Sequence, residues 1–327
     1  MIINKKITIL TILFTGTLLS LYLALYAGYN DFGYNLLWKA FHLDNDSDSM
    51  ILTLLRYPRA LKAFIAGVCL ALAGMFMQSV SKNPLAEPYI TGISSGAGLG
   101  IVLSILLFNS QNYSIFGFAG ALLSSAIVIL FSGLSRFSIT KLILIGLSIN
   151  IFVSALISLI ILVNPNKSYT MMLILSGGVT NNEIISNNVL FIAFLVVLAL
   201  SALIVPKLNY LRLDSELIDS DKKSKYFYTL AVIVLSSLLT SISVFSAGIL
   251  GFIGIIAPQI SRILFGQDYR WLFISNAFLG SILILLADFI ARTIIYPLQI
   301  PLGLVVAFIG APIFVYFLTK KGDMFRD

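Results

Sequence analysis

Charge is the scarcest property of this sequence. Asp, Glu, Lys and Arg make up 11% of its 327 residues, 59% are hydrophobic and the mean hydropathy is +1.00, whereas a soluble domain carries about a quarter charged residues. Water is therefore not the chain's main solvent. Cysteine occurs once, at Cys69 inside an apolar run, so no disulfide and no Cys-x-x-Cys site can form within the chain. Histidine also occurs once, at His42, which excludes a histidine metal cluster and disfavours hydrolytic chemistry that relies on histidine. Paired intramembrane carboxylates and a nucleophile–base set are missing too, which argues against an intramembrane enzyme; no catalytic residue and no metal site is expected. No GxxxxGK[ST] loop is present, so any ATP is hydrolysed on another chain and no cofactor is expected on this one. The longest polar stretch, Leu208 to Lys225, is under twenty residues, too short for a soluble domain. A single membrane domain over 1–327 follows.

Apolar runs are what the sequence has in abundance. With about 20 residues needed per helical crossing of a bilayer, polar, Pro and Gly punctuation delimits ten spans, near 7–27, 60–80, 90–108, 115–134, 141–163, 189–206, 227–246, 250–265, 271–291 and 302–319. The expected fold class is all-α integral membrane, with about ten transmembrane helices. An even number puts both termini on one side, and the enrichment of Lys and Arg in cytoplasmic loops decides which. With cytoplasmic termini, fifteen of the twenty-one basic residues lie inside, leaving Lys39, Arg56, Arg59, Lys62, Lys167 and Arg292 outside. The formal charge of +7 is spread through loops without forming a patch, so nucleic acid is not an expected partner. Lys5 and Lys6 before the first run look like the start of a signal peptide. That run is too long and lacks a small-x-small cleavage site, so a retained first helix is expected.

Several runs are broken. Thr91–Gly100 (TGISSGAGLG) and Ala247–Pro258 (AGILGFIGIIAP) argue against continuous helices, and non-helical backbone at membrane depth is tolerated only against protein or a water-filled cavity. Met171–Thr180 (MMLILSGGVT) is too short to cross and reads as a partial, re-entrant helix near the outer mouth. Gly96, Gly98 and Gly100 lack the strand–turn–helix context of a nucleotide site and suit close helix packing. Tyr29 to Met50, with Trp38 and Phe41, reads as an interfacial anchor. Within it Asp44 to Asp48 opens like a calcium loop, but Ser49 replaces the turn glycine and Leu55 the closing glutamate.

Arg56-Tyr57-Pro58-Arg59 presents two cations at the outer boundary, with a proline suited to a helix start. Snorkelling to headgroups and docking of an acidic partner are both open from composition. Arg292 reaches the same level. Asp288, four residues earlier, shares its helix face and is expected to pair with it; a proton-relay role for Asp288 would instead describe an ion-coupled secondary transporter. The loop from Leu208 to Lys225 mixes apolar residues with charges, which suits either a solvated loop or short amphipathic helices in a partner's groove.

Arg56–Arg59, Asn83-Pro84-Leu85-Ala86-Glu87-Pro88, Gly92–Gly98 (GISSGAG), Gly251–Arg262 (GFIGIIAPQISR) and Pro301–Pro312 (PLGLVVAFIGAP) occur in an order and spacing that closely resembles the FecCD-type ABC importer permeases over nearly the whole chain. The resemblance implies the membrane subunit of an importer for iron–siderophore, haem or cobalamin cargo in the bacterial cytoplasmic membrane. It implies a homodimer or a heterodimer with a second permease, two cytoplasmic ATPase subunits carrying ATP and Mg, and an extracytoplasmic binding (lipo)protein. By the same resemblance Arg56, Arg59 and Arg292 dock the binding protein, while Asn83, Leu85, Ile139 and Thr140 form the inner gate. Leu213, Asp214, Glu216, Leu217 and Ile218 fall in the loop that couples to the ATPase. Two positions depart from the family pattern: Gln259 stands where PHIxR carries histidine, and Asp214 to Lys223 is charged and lacks glycine.

Overall fold

A backbone in hydrocarbon must satisfy its own N–H and C=O groups, and a helix does so within one segment. The computed structural model describes residues 2–26, 50–108, 112–132, 139–179, 187–212, 222–295 and 298–320, and among these it holds eleven α-helices and no strand. They are α1 (Ile2–Tyr26), α2 (Tyr57–Ser81), α3 (Ile93–Leu107), α4 (Tyr113–Phe131), α5 (Ile139–Val163), α6 (Pro165–Leu175), α7 (Asn187–Arg212), α8 (Lys222–Ala247), α9 (Ile253–Phe265), α10 (Tyr269–Thr293) and α11 (Leu302–Lys320). Ten fall on the ten apolar runs and α6 is the partial helix. By length and composition seven can cross a membrane: α1, α2, α4, α5, α7, α8 and α10. The apolar helices α3 and α9, and the apolar stretch Leu302–Phe317 of α11, are shorter.

Helix α2 is the centre of the bundle. Nineteen of its 25 residues are buried, against α8, α9, α10 and α7, whereas α5 buries only Leu142 and Gly146 and turns Leu144, Ile151, Phe152 and Leu159 outward. Phe76, Met75 and Ile65 on α2 share a core with Val232 and Leu239 of α8 and Leu272 of α10. Lipid tails are as apolar as leucine, so helices in a membrane associate through close packing and not through escape from water. Glycine supplies that closeness here. A Cβ added to Gly67 of α2 would overlap the carbonyl of Gly280 on α10, and one added to Gly96 of α3 would overlap Ser124 and the carbonyl of Gly120 on α4.

Three local features differ from the sequence reading. The chain is already helical at Met50, passing through a π-turn at Leu52–Arg56, so Pro58 lies within a continuing helical path and does not start one. The wider turn leaves the Tyr57 N–H on Leu52 O and accommodates a proline that has no N–H to give. The break in the third run lies at the 3₁₀ turn Pro88–Thr91 and at Gly92, upstream of the glycine cluster, which sits inside a continuous α3. Helix α6 begins at Pro165, six residues before the expected segment. The break after Ala247 is present as expected, with non-helical backbone up to Phe252.

Gly280→Val should push α10 off α2. A cost of about 3 kcal/mol corresponds to a thermal midpoint in detergent about 5 °C lower or more. Gly251, with nothing within 4 Å of its added Cβ, is the control: Gly251→Ala should leave the midpoint unchanged.

Candidate functional site

Three helix ends meet at one end of the bundle: the C-terminus of α1, the N-terminus of α2 and the C-terminus of α10. The last carbonyls of a helix lack partners within it and carry its negative dipole end, and two arginines answer those of α1. Arg56 Nη1 donates to Leu25 O at 2.9 Å and to Tyr26 O at 2.7 Å, and Arg292 Nη2 donates to Ala24 O at 2.9 Å. Asp288, fully buried, sits between Arg59 and Arg292. Its Oδ1 accepts from Arg59 Nε at 3.0 Å and lies 2.9 Å from Nη2, while Oδ2 lies 3.1 Å from Arg292 Nε. That Nε–H is aimed at the Asp288 main-chain oxygen at 3.3 Å, so the Oδ2 contact is an ion pair without hydrogen-bond alignment. Arg59 Nη1 also donates to Gln299 Oε1 at 2.9 Å.

The structure thus brings the three sequence-selected arginines together. It also ranks them: Arg59 exposes 18% of its side chain and Arg292 10%, while Arg56 is buried. A carboxylate bracketed by two guanidinium groups serves as their counter-charge, and a proton-relay role for Asp288 finds no support. Gln299, next to this cluster, carries no signal in the sequence, because its link to Arg59 spans 240 positions.

At the far end of α2 the chain turns through Lys82, and Asn83 Oδ1 accepts the Leu85 N–H at 2.9 Å in an Asx-type turn. This loop and the last turns of α2 are fastened to α9 and to the broken stretch that precedes it. Gln259 Nε2 donates to Pro84 O at 2.8 Å, Glu87 Oε1 accepts the Phe252 N–H at 2.7 Å, the Tyr89 hydroxyl accepts the Leu250 N–H at 3.0 Å, and Gln78 Nε2 donates to Gly254 O at 3.0 Å. Amides that lose helical partners where α8 stops are satisfied in this way. Burial pushes the Glu87 carboxyl above its usual pKa, against the pull of the Phe252 bond. The polar contact left open at Gln259 by the missing histidine is therefore the hold on Pro84, between the two gate candidates Asn83 and Leu85. Both of these are exposed. Ile139 and Thr140 are the first residues of α5, with Thr140 exposed and Ile139 packed on the main core. Leu213, Asp214, Glu216, Leu217 and Ile218 lie outside the described residues.

Beside α5, an open groove between α3, α5 and α6 is lined by Ser94, Ser154, Ser158 and Ser176 with Ile157 and Ile249. Asn150 of α5 supports its wall, accepting from Ser95 Oγ at 2.6 Å and donating to Tyr89 O at 3.1 Å. On the same side of the bundle as Asn83, Asn209 of α7 donates to Asp268 ahead of α10 at 2.8 Å. Sequence reading passed over both asparagines, one inside an apolar run and one in the polar stretch after 206, since neither shows its partner until the helices are packed.

A model of the FecCD transport family matches residues 16–320. The chain belongs to that family. It is 32% identical over 283 residues to the Fe(3+)-citrate import system permease protein YfmD of Bacillus subtilis, covering 85% of this chain and 84% of that one. It is also 32% identical over 314 residues to the iron(3+)-hydroxamate import system permease protein FhuB of the same organism, covering 93% and 80%. A solved structure described as an inward-facing, metal-chelate type ABC transporter superposes with a TM-score of 0.84 at 28% identity, covering 96% of this chain and 99% of that one.

In this FecCD protein Asp288→Asn would leave two arginines facing a neutral group. Breaking a buried pair costs about 3–5 kcal/mol, so its thermal midpoint in detergent should fall well below that of the more exposed Arg59→Gln; equal midpoints would contradict the bracketing. Gln259→Ala should free the 83–87 loop by about 1 kcal/mol. Limited trypsin digestion after Lys82 should then run about fivefold faster, with the rest of the fragment pattern unchanged.

Proposed function

We propose that this chain is the membrane subunit of an ATP-driven importer for an iron-chelate cargo, of siderophore type before haem or cobalamin. The observation that carries the proposal is the family match over almost the full chain, together with relatives named for Fe(3+)-citrate and iron(3+)-hydroxamate import. Two permease chains, identical or paired with a second kind, would enclose the path, and the unburied apolar face of α5 suits that arrangement. ATP and Mg would be bound by two cytoplasmic ATPase subunits meeting the loop that holds Leu213, Asp214, Glu216, Leu217 and Ile218, and both termini of the ten-span chain would lie on that cytoplasmic side of the bacterial membrane.

The arginine end then faces the extracytoplasmic binding protein. Arg59 and Arg292, which share Asp288, still expose 18% and 10% of their side chains, and those guanidinium edges suit acidic groups on a soluble partner. Asn83, Leu85, Ile139 and Thr140 would constrict the inner side of the path, and the serine-lined groove offers hydroxyls without titratable groups along it. Transport follows if ATP favours one packing of the bundle over the other.

Arg59→Glu should weaken capture of the cognate binding protein by the detergent-solubilised complex about tenfold or more. Arg56→Glu, whose guanidinium is spent on α1, should mainly lower stability. Unchanged complex formation and uptake in the variant that carries Arg56→Glu and Arg59→Glu together would sink the docking role.

A further inference from the structure

Helix α7 ends at Arg212, immediately before the segment that the importer reading gives to the ATPase. One turn earlier, Asn209 makes two bonds to another helix. Its Nδ2 donates to Asp268 Oδ1 at 2.8 Å, and its Oδ1 accepts the Tyr269 N–H at 3.1 Å. Asp268 is the N-cap of α10, and the same Oδ1 accepts the Arg270 N–H at 3.0 Å. Burial raises the Asp268 pKa, but the bonds from Asn209 and Arg270 and the charges of Arg270 and Lys6 outweigh it and hold the carboxyl below its usual value. An ionised acceptor makes this latch stronger than a neutral one. Lys6 of α1 lies 5.6 Å above the Trp271 ring, so α1 rests on the same turn.

The two sides of the latch differ in freedom. Pro206, three residues before Asn209, removes a helical hydrogen bond from α7 and marks a place where its last turns can bend. Leu208, just beyond, is buried in the main core and keeps those turns seated. Helix α10 is uninterrupted for 25 residues, about 37 Å. Its far end carries Asp288 and Arg292, the two residues tied to Arg59 and to the end of α1. A displacement at the end of α7 therefore reaches the arginine cluster through one rigid element.

We propose that Asn209 is a positioning residue for energy coupling: through its latch to Asp268 it passes motion of the ATPase-facing segment into α10 and so to the arginine end. The proposal rests on the importer reading. It predicts that the donor–acceptor pairing matters and that the identity of either residue alone does not.

The test uses the full complex of permease, ATPase and binding protein in proteoliposomes, reading cargo imported per ATP hydrolysed. Asn209→Asp sets two carboxylates face to face and should lower that ratio about tenfold while ATP hydrolysis continues. The exchange Asn209→Asp with Asp268→Asn restores one donor and one acceptor, leaves an acceptor for the Tyr269 N–H, and should restore the ratio. A wild-type ratio in Asn209→Asp overturns the proposal, as does failure of the exchange to recover it. Should the single variant not assemble, the exchange decides: assembled and coupled supports the latch, assembled and uncoupled overturns it. Transport by the wild-type chain without ATP would instead sink the importer reading and is scored separately.

Discussion

The backbone of α2 touches the backbones of other helices, and most of the structure follows from that contact. Side chains at Gly67 or Gly280 would hold the two helices apart, and lipid supplies no hydrophobic force to draw them back. With that approach in place, α2 lies beside α8, α9 and α10 together, and its few polar groups can be satisfied from both neighbours. Gln78 reaches Gly254 O, and Ser236 of α8 donates to Ala73 O at 3.0 Å. The same closeness places Arg59 at the start of α2 beside Asp288 near the end of α10.

Several of the side-chain bonds that join separate helices lie where helices begin and end. At one end, Arg56 and Arg292 take up the terminal carbonyls of α1 and Asp288 balances Arg59 and Arg292. Elsewhere, Glu87 and Tyr89 take up amides freed by the break between α8 and α9, Gln78 and Gln259 tie α9 to α2 and to Pro84 O, and Asn209 and Asp268 fasten α7 to α10. Burying a polar group without a partner is costly, so each break in a helix brings its own side-chain partners. The 83–87 loop is thus attached to α9 and to the stretch before it through few, identifiable bonds.

Much of this was legible in sequence, for a physical reason. The ten apolar runs, the partial helix before Gly177, the break after Ala247 and the Asp288–Arg292 pair are all local: each depends on residues within one turn or one span. The motif set from Arg56 to Pro312 carried the family. What sequence reading misplaced was also local but subtle, as at Pro58, where a π-turn continues a helix that proline was expected to start.

Composition and periodicity by themselves determined that the chain is helical and that it suits a membrane, because hydropathy and the length of apolar runs depend on residue type and local order alone. Only the tertiary structure decided that Arg59, 229 positions from Asp288, shares its carboxylate with Arg292, that Gln259 holds Pro84, and that Asn209 reaches Asp268. Those bonds join residues far apart in the chain. Their donors and acceptors acquire partners only when packing removes every alternative, and no periodicity along a single helix records that.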